Sequence, residues 1–236
     1  MNEHLSEKSE PVSNISEILV KRKNRKVYMF FKRIIDIFAA LLALLITTPI
    51  FLIVSLAYLF GENRGPIFFK QLRVGKDGKK FYMYKFRSMI VNAEQVLKEN
   101  KDLYQKYLDN NYKLEQEEDP RITRLGRFLR KTSLDELPQL LNVIKGEMSL
   151  VGPRPVIQEE LQEYNDRLQD FLSVKPGVTG YWQICGRSEV GYPERAHLEF
   201  YYIDNQGAKM DSNVIFKTII LVISRKGAYW FKDFID

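Results

Sequence analysis

Cysteine and histidine are almost absent from this chain. Cys185 stands alone, and His4 and His197 are the only histidines in 236 residues. A lone cysteine excludes an intrachain disulfide framework and fits a reducing compartment. As a single residue it reads as packing rather than as a nucleophile. Two isolated histidines argue against a His-rich metal site and against Ser–His–Asp chemistry. Neither G-x-x-x-x-G-K-S/T nor G-x-G-x-x-G occurs, so both glycine-rich phosphate fingerprints are missing. There is no internal repeat. Acidic residues are the minority charge: 36 Lys and Arg against 30 Asp and Glu give a net +6 and a pI near 9.2. That balance implies an anionic partner, whether a membrane surface, nucleic acid or a phosphorylated substrate. The length suits one domain with appendages.

One stretch has no charge at all. Ile37 to Phe60 is 24 residues of aliphatic, aromatic and small side chains. As a helix it reaches ~36 Å, enough for a ~30 Å hydrocarbon core. It starts too late for a signal peptide, follows mixed charges and precedes no A-x-A-like cleavage site. Basic residues usually mark the cytoplasmic side of a spanning helix. Here both flanks are basic, from Lys21 to Arg33 before the run and from Arg64 to Lys80 after it. Pro49 sits midway, after Thr47 and Thr48. Proline removes a backbone bond and kinks a helix, and threonine hydroxyls can re-satisfy the freed carbonyls. The charge symmetry favours a kinked re-entrant helix over 27–60, broken at Thr48 and Pro49, over a plain spanning helix with a tolerated proline.

The stretch richest in chemistry is Asp119 to Gln139, D-P-R-I-T-R-L-G-R-F-L-R-K-T-S-L-D-E-L-P-Q. Arg121, Arg124, Arg127 and Arg130 recur every third residue and are expected to form one basic stripe if helical. They lead to adjacent acids, Asp135 and Glu136. Arginine forks gather phosphate oxygens. Neighbouring carboxylates hold Mg²⁺, or one holds the metal while the other acts as base or nucleophile. The bland alternative is a solvated basic helix with structural N-cap acids. Ser133 and Glu136 fit a capping box, but that frame puts Pro138 where its missing N–H costs a bond. Asp135 as N-cap is the preferred frame. Either way the acids are expected at a helix N-terminus, which attracts anions.

Elsewhere, residues 1 to about 16 read as disordered, and Lys21 to Lys26 as a basic segment against anionic headgroups. Pro66–Phe69 and Phe81–Phe86 read as strands joined by the turn Gly75-Lys76-Asp77-Gly78, a hairpin. Asn92–Glu118 reads as solvent-facing helix, Val156–Leu172 as another helix and Lys175–Gly180 as a loop. Phe216–Phe234 fits an interfacial helix, with Tyr229 and Trp230 at headgroup level, and a buried core helix equally well. Q-L-R-V-G (71–75), V-G-P-R-P (151–155) and Q-I-C-G-R (183–187) each offer an arginine on a stiff, glycine-containing loop.

Taken together, these residues resemble the bacterial sugar transferase family of monotopic phosphoglycosyl transferases. The matching stretches are F-K-R-I-I-D with the T-P break, Q-x-R-x-G, Y-K-F-R-S-M, the Asp119–Gln139 segment, N-V-I-K-G-E-M-S-L-V-G-P-R-P and K-P-G-V-T-G, spanning Phe31 to Trp230. The resemblance implies transfer of a phosphosugar from a UDP-sugar to undecaprenyl phosphate, with release of UMP. It implies a covalent phosphosugar on Asp135, Mg²⁺ held with the help of Glu136, and phosphate contacts from Arg130, Arg154 and Arg187. Lys85 and Arg87 of Y-K-F-R-S-M are expected at the phosphate or substrate, and the helix-breaking proline maps onto Pro49. Near the C-terminus the family's usual Asp is Glu199, and its usual Trp-Ser after Asn is Gln206-Gly207. Many members carry four spanning helices and a soluble domain before this module, so the chain reads as the short form.

The expected fold is α+β and helix-rich, a monotopic membrane protein with a small β-hairpin and interfacial amphipathic helices. Its expected divisions are a disordered basic segment (1–26), the re-entrant helix (27–60) and a catalytic part on the cytoplasmic face of the inner membrane (61–236). Expected partners are a UDP-sugar, with galactose or glucose as the guess for the sugar, undecaprenyl phosphate, anionic lipids and downstream glycosyltransferases, with a homodimer left open. Two rival classes compete. A membrane adaptor for anionic lipids leaves the Asp-Glu pair amid arginines unexplained. A nucleic-acid binder leaves Ile37–Phe60 unexplained and has no recognised motif.

Overall fold

The structure, a computed structural model, describes residues 13–109, 114, 119–186 and 190–224. It is helix-rich, with a small antiparallel hairpin and one long apolar N-terminal helix.

Helix α1 spans Ser13–Ala57. Its apolar stretch contains no glycine, and its leucines and alanines are strong helix formers. Among the described residues it is the one helix long and apolar enough to cross a membrane, over Arg25–Ala57. It takes in residues 13–26, part of the stretch expected to be disordered, and it continues through Pro49. The Thr47 hydroxyl donates to the Ala43 carbonyl at 2.6 Å and that of Thr48 to Leu44 at 2.8 Å. The carbonyl that Pro49 leaves without an N–H partner is that of Leu45, one residue further on.

The two faces of α1 differ. Phe30, Ile34, Phe38, Leu41, Leu45, Leu52, Leu56 and Phe60 follow helical spacing along and just past it, and all are exposed. The opposite face is tied to the rest of the molecule on either side of the apolar run. Lys32 donates to Asp211 at 2.6 Å. Arg33 donates to the carbonyls of Val143 and Ile144 at 2.6 and 2.9 Å. Asp36 accepts from the Ser149 hydroxyl and the Leu150 N–H at 2.7 and 3.1 Å. The F-K-R-I-I-D motif is therefore a dock. At the far end Val54 and Tyr58 pack with Phe86 and Leu129, and the Tyr58 hydroxyl donates to the Arg87 carbonyl.

Strands β1 (Phe68–Val74) and β2 (Lys80–Phe86) form the expected hairpin, with Phe68 opposite Phe86 and Val74 opposite Lys80. The 75–78 turn works because Asp77 and Gly78 adopt φ of 57° and 72°, which Asp and Gly tolerate. The polar segment yields α2 (Ala93–Glu99) and α3 (Lys101–Asp109). Later come α4 (Arg124–Lys131), α5 (Gln139–Lys145) and β3 (Ser149–Val151). Within Val156–Leu172, expected as one helix, Gln158–Arg167 is 3-10, Asn165 breaks it at φ 40° and ψ −128°, and α6 is only Leu168–Leu172. Leu161 and Tyr164, the apolar residues it packs inward, are three apart, the 3-10 repeat. The K-P-G-V-T-G loop contains β4 (Gly177–Thr179), parallel to β3. Gly177 permits this, since a Cβ there would lie 2.1 Å from the Gly152 nitrogen. Helices α7 (Tyr181–Cys185), α8 (Glu194–Asp204) and α9 (Ala208–Ser224) complete the chain.

The largest core joins Val151, Tyr164, Phe171, Tyr202, Val214 and Leu221. In the described part of the Phe216–Phe234 segment, helix α9 buries Leu221 and exposes Phe216, Ile219 and Val222. Tyr229 and Trp230 lie outside the described residues, as do residues 1–12. Cys185 is partly buried, and burial pushes its thiol pKa up, which suits packing.

Candidate active site at Asp135 and Glu136

The arginine-rich segment does not fold as one stripe. Asp119 and Arg121 form a buried two-pronged pair at 2.8 and 2.7 Å, ahead of the helix. Thr123 caps α4, its hydroxyl accepting from the Gly126 N–H at 2.9 Å. Every-third spacing drifts about 60° per step around an α-helix, which separates the arginines. Arg124 and Arg127 are exposed, whereas Arg130 turns inward and its Nε donates to the Ser88 hydroxyl at 2.8 Å. Gly126 allows this approach: a Cβ there would lie 1.9 Å from the Ser88 carbonyl oxygen.

After α4 the chain reverses through Ser133, held at φ 58° and ψ 14°. Leu134–Glu136 then makes a 3-10 turn of its own, and Pro138 occupies the N-cap position of α5 with φ −62°. Neither Ser133 nor Asp135 caps the helix with its side chain. The dyad sits one turn earlier than either capping frame puts it, because proline's fixed φ suits the start of α5 itself. Leu134 and Leu137 anchor the turn against the Phe86–Leu129 cluster. Asn142 of α5 is fully buried; its side chain accepts from the Tyr84 N–H at 3.1 Å and donates to the Tyr82 carbonyl at 2.8 Å. These bonds lock α5 to β2 and bring Lys85 to the acids.

Lys85 donates to Glu136 at 2.7 Å and lies 3.9 Å from Asp135. Asp135 is 8% exposed, and burial pushes its pKa up to about 6; Lys85 and Arg130 pull it down and Glu136 pushes it up. Burial lowers the Arg130 pKa. Beside Glu136 opens a cavity of about 70 Å³ whose wall includes Arg73, Lys85, Glu136, Arg154, Trp182 and Gln183. The V-G-P-R-P loop carrying Arg154 is held by Glu199, which accepts the Arg154 N–H at 3.0 Å and the Tyr164 hydroxyl. The arrangement is a buried carboxylate and its neighbour, walled by cations, suited to attack on a phosphoryl group.

A scan of known families matches residues 27–225 to the model described as bacterial sugar transferase. The chain belongs to the bacterial sugar transferase family. It is 44% identical over 218 residues to an undecaprenyl-phosphate galactose phosphotransferase of Salmonella typhimurium, covering 91% of this chain and 44% of that protein. It is 43% identical to the exopolysaccharide production protein ExoY of Sinorhizobium fredii, covering 84% of this chain and 88% of that one. A UDP-glucose:undecaprenyl-phosphate glucose-1-phosphate transferase of Klebsiella pneumoniae is 37% identical over 86% of this chain. The chain spans less than half the length of the Salmonella and Klebsiella relatives.

Of the residues that the bacterial sugar transferase resemblance singled out, Asp135, Glu136, Lys85 and Arg154 gather here, with Arg130 flanking Asp135. Arg87 is turned elsewhere: it donates to the carbonyls of Pro66 and Met89 at 2.7 Å each and to that of Asn63, and lies over the Tyr58 ring. Thr48 and Pro49 lie on α1, and Arg187 is outside the described residues. Arg73 joins the cavity wall from Q-L-R-V-G, a family-matching patch whose arginine was expected on a loop and lies instead on β1. Trp182 joins it with no sequence signal at all. Among the described residues no group of three or more His, Cys, Asp or Glu gathers as a metal cage. Two adjacent carboxylates still fit Mg²⁺, which commonly takes one or two carboxylates and fills its shell with water and substrate phosphate.

Proposed function

We propose that this chain transfers a sugar 1-phosphate from a UDP-sugar to undecaprenyl phosphate, releasing UMP. The observation that carries the reading is the buried Asp135 flanked by Lys85, Glu136 and Arg130 in a member of the bacterial sugar transferase family. The Asp135 carboxylate attacks the phosphorus that bears the sugar. A carboxylate O–P bond forms and the bridging P–O bond breaks, its electron pair leaving with UMP. A phosphate oxygen of undecaprenyl phosphate then attacks the same phosphorus, breaking the acyl phosphate and returning Asp135 as a carboxylate. Lys85, Arg130 and Arg154 offset charge on the phosphates. Glu136 would help hold Mg²⁺, which would supply Lewis-acid neutralisation of the pyrophosphate. The relatives named for galactose and for glucose support a hexose donor.

The proposed location is the cytoplasmic face of the inner membrane, where this step opens exopolysaccharide or capsule synthesis. Two features support it. The outer face of α1 is a continuous apolar stripe, and its flanks are basic as anionic lipids require. The apolar part of α1 is bracketed by contacts to the same body, through Lys32 and Arg33 before it and Tyr58 just after it. That bracketing supports a re-entrant segment, neither flank of which reaches the far side.

The test is UMP release by the membrane-embedded protein with a panel of UDP-sugars, with and without undecaprenyl phosphate and Mg²⁺. Mg²⁺-dependent UMP release with a hexose donor is expected, together with a lipid-linked product. Glu136→Gln should raise the Mg²⁺ concentration needed for half-maximal rate, since an amide is a poorer hard-cation ligand. No UMP from any donor would leave a membrane adaptor instead.

A further inference from the structure

Buried polar atoms nearly always have partners, so those that lack one ask for an explanation. Among the described residues four buried side-chain N–H groups lack a hydrogen-bond partner: Nε of Arg73, Arg154 and Arg195, and Nε1 of Trp182. They are not scattered. Arg73, Arg154 and Trp182 line the one cavity beside Lys85 and Glu136. The guanidinium carbons of Arg154 and Arg195 lie 5.5 and 5.1 Å from the Trp182 ring centre. The other orphans, Asn63 Oδ1 and Gln206 Oε1, are acceptors on residues that do not line this cavity.

The set at the cavity consists of donors alone. A sugar hydroxyl both gives and takes hydrogen bonds, whereas a phosphate oxygen only accepts. The arginines are also prearranged. Arg73 has its far end fixed, Nη1 donating to the Pro155 carbonyl at 3.2 Å and Nη2 to Gln71 at 2.7 Å, which leaves Nε unpaired. Burial and then the nearby Arg154 push the Arg73 pKa down to about 10, while Glu160, 3.4 Å from its Nη1, pulls it back up. Two guanidiniums over one indole hold that ring in place by cation–π attraction.

We infer that this cavity binds the phosphate that departs with the nucleotide, and that Trp182 Nε1 and Arg73 Nε donate to its oxygens. The inference rests on the UDP-sugar reading above. When the bridging P–O bond breaks, the electron pair and the added negative charge settle on this phosphate. Donors held beside it would stabilise that charge. Asp135 and Lys85 would then serve the transferred phosphate, and Arg73 and Trp182 the one left behind.

The protein has two tryptophans, Trp182 and Trp230. Indole-¹⁵N labelling of the full chain in nanodiscs therefore gives two N–H signals, assigned with Trp182→Phe. That variant removes the N–H and keeps an aromatic face for the arginines. Inorganic phosphate, pyrophosphate, UMP and uridine are titrated separately, with calorimetry in parallel. The Trp182 signal should move downfield with UMP and pyrophosphate and stay put with uridine, and Trp182→Phe should weaken UMP binding roughly tenfold, the scale of one hydrogen bond to a charged group. Arg73→Lys, which keeps the charge but lacks Nε–H in the fork, should weaken it similarly. UMP binding by calorimetry with an unmoved Trp182 signal and normal affinity in both variants would overturn the inference while leaving the donor reading intact. A shift with pyrophosphate and inorganic phosphate but none with UMP would keep an anion cavity and overturn its assignment to the nucleotide. No shift with any of the four would overturn it outright.

Discussion

Glu199 is 1% exposed. Burial pushes its pKa up to about 7, while the Tyr164 hydroxyl, the Arg154 N–H and the charges of Arg195 and Arg154 pull the other way; Tyr192 also packs there. A carboxyl whose folded pKa is raised binds its proton more tightly folded than unfolded. Its contribution to stability is therefore fully present below the ordinary value of 4.5 and is lost as pH rises through about 7. Glu199→Gln cannot ionise. The melting temperature of the native chain should fall relative to this variant between about pH 4.5 and 7 and then run parallel above it, as read by thermal denaturation in detergent. A difference constant across that range would count against a buried, proton-binding Glu199. At this scale the sequence was informative about residue types and less so about their partners. Asp135, Glu136, Lys85 and Arg154 could be nominated because their motifs are contiguous, and the fold brings them near one another. For Arg87 the sequence does not say that its donors meet the carbonyls of Asn63, Pro66 and Met89. Trp182 was invisible because its meaning lies in an unpartnered N–H beside arginines distant in the chain.

Helix α4 and the loop after β2 meet at Gly126, where an added Cβ would collide with the Ser88 backbone at 1.9 Å. Gly126→Ala, which in an exposed helix would stabilise, should here push α4 away from Ser88 and withdraw Arg130 from the dyad. The expected result is a loss of about 1–3 kcal/mol in denaturant unfolding and a clear fall in turnover. Equal stability and rate would show that α4 has slack at this contact. The sequence was strongest where an element is coded locally. The Gly-Lys-Asp-Gly turn predicted the hairpin, and the apolar run predicted a helix, although the break expected at Thr48 and Pro49 does not interrupt α1. It was weaker where pairing is long-range. Strand β4 exists because Gly177 lets it lie against Gly152, and nothing within K-P-G-V-T-G announces that. The basic stripe failed because three-residue spacing does not keep one helical face and because Thr123 starts the helix after Arg121.

The whole molecule couples an apolar helix to a charged site, and two predictions belong to that scale. The first concerns topology. Cysteines at Asn24 and Asn92 in a Cys185→Ser background should both resist a membrane-impermeant thiol reagent in intact cells and both react after lysis. Labelling of Asn24→Cys from outside with Asn92→Cys protected would make α1 an ordinary spanning helix and would conflict with its docking through Lys32 and Arg33. The second concerns the two-step transfer, on which the functional reading stands or falls. The full chain in nanodiscs is given its UDP-sugar and Mg²⁺ without any polyprenyl phosphate, and its intact mass and UMP release are measured together. One sugar-phosphate should add per chain, map to Asp135, appear with one equivalent of UMP, and leave on addition of undecaprenyl phosphate; Asp135→Asn, folded and still in the membrane, should show neither adduct nor UMP. UMP release only in the presence of the acceptor, with no adduct on any residue, or normal turnover by Asp135→Asn, would contradict a covalent aspartyl intermediate.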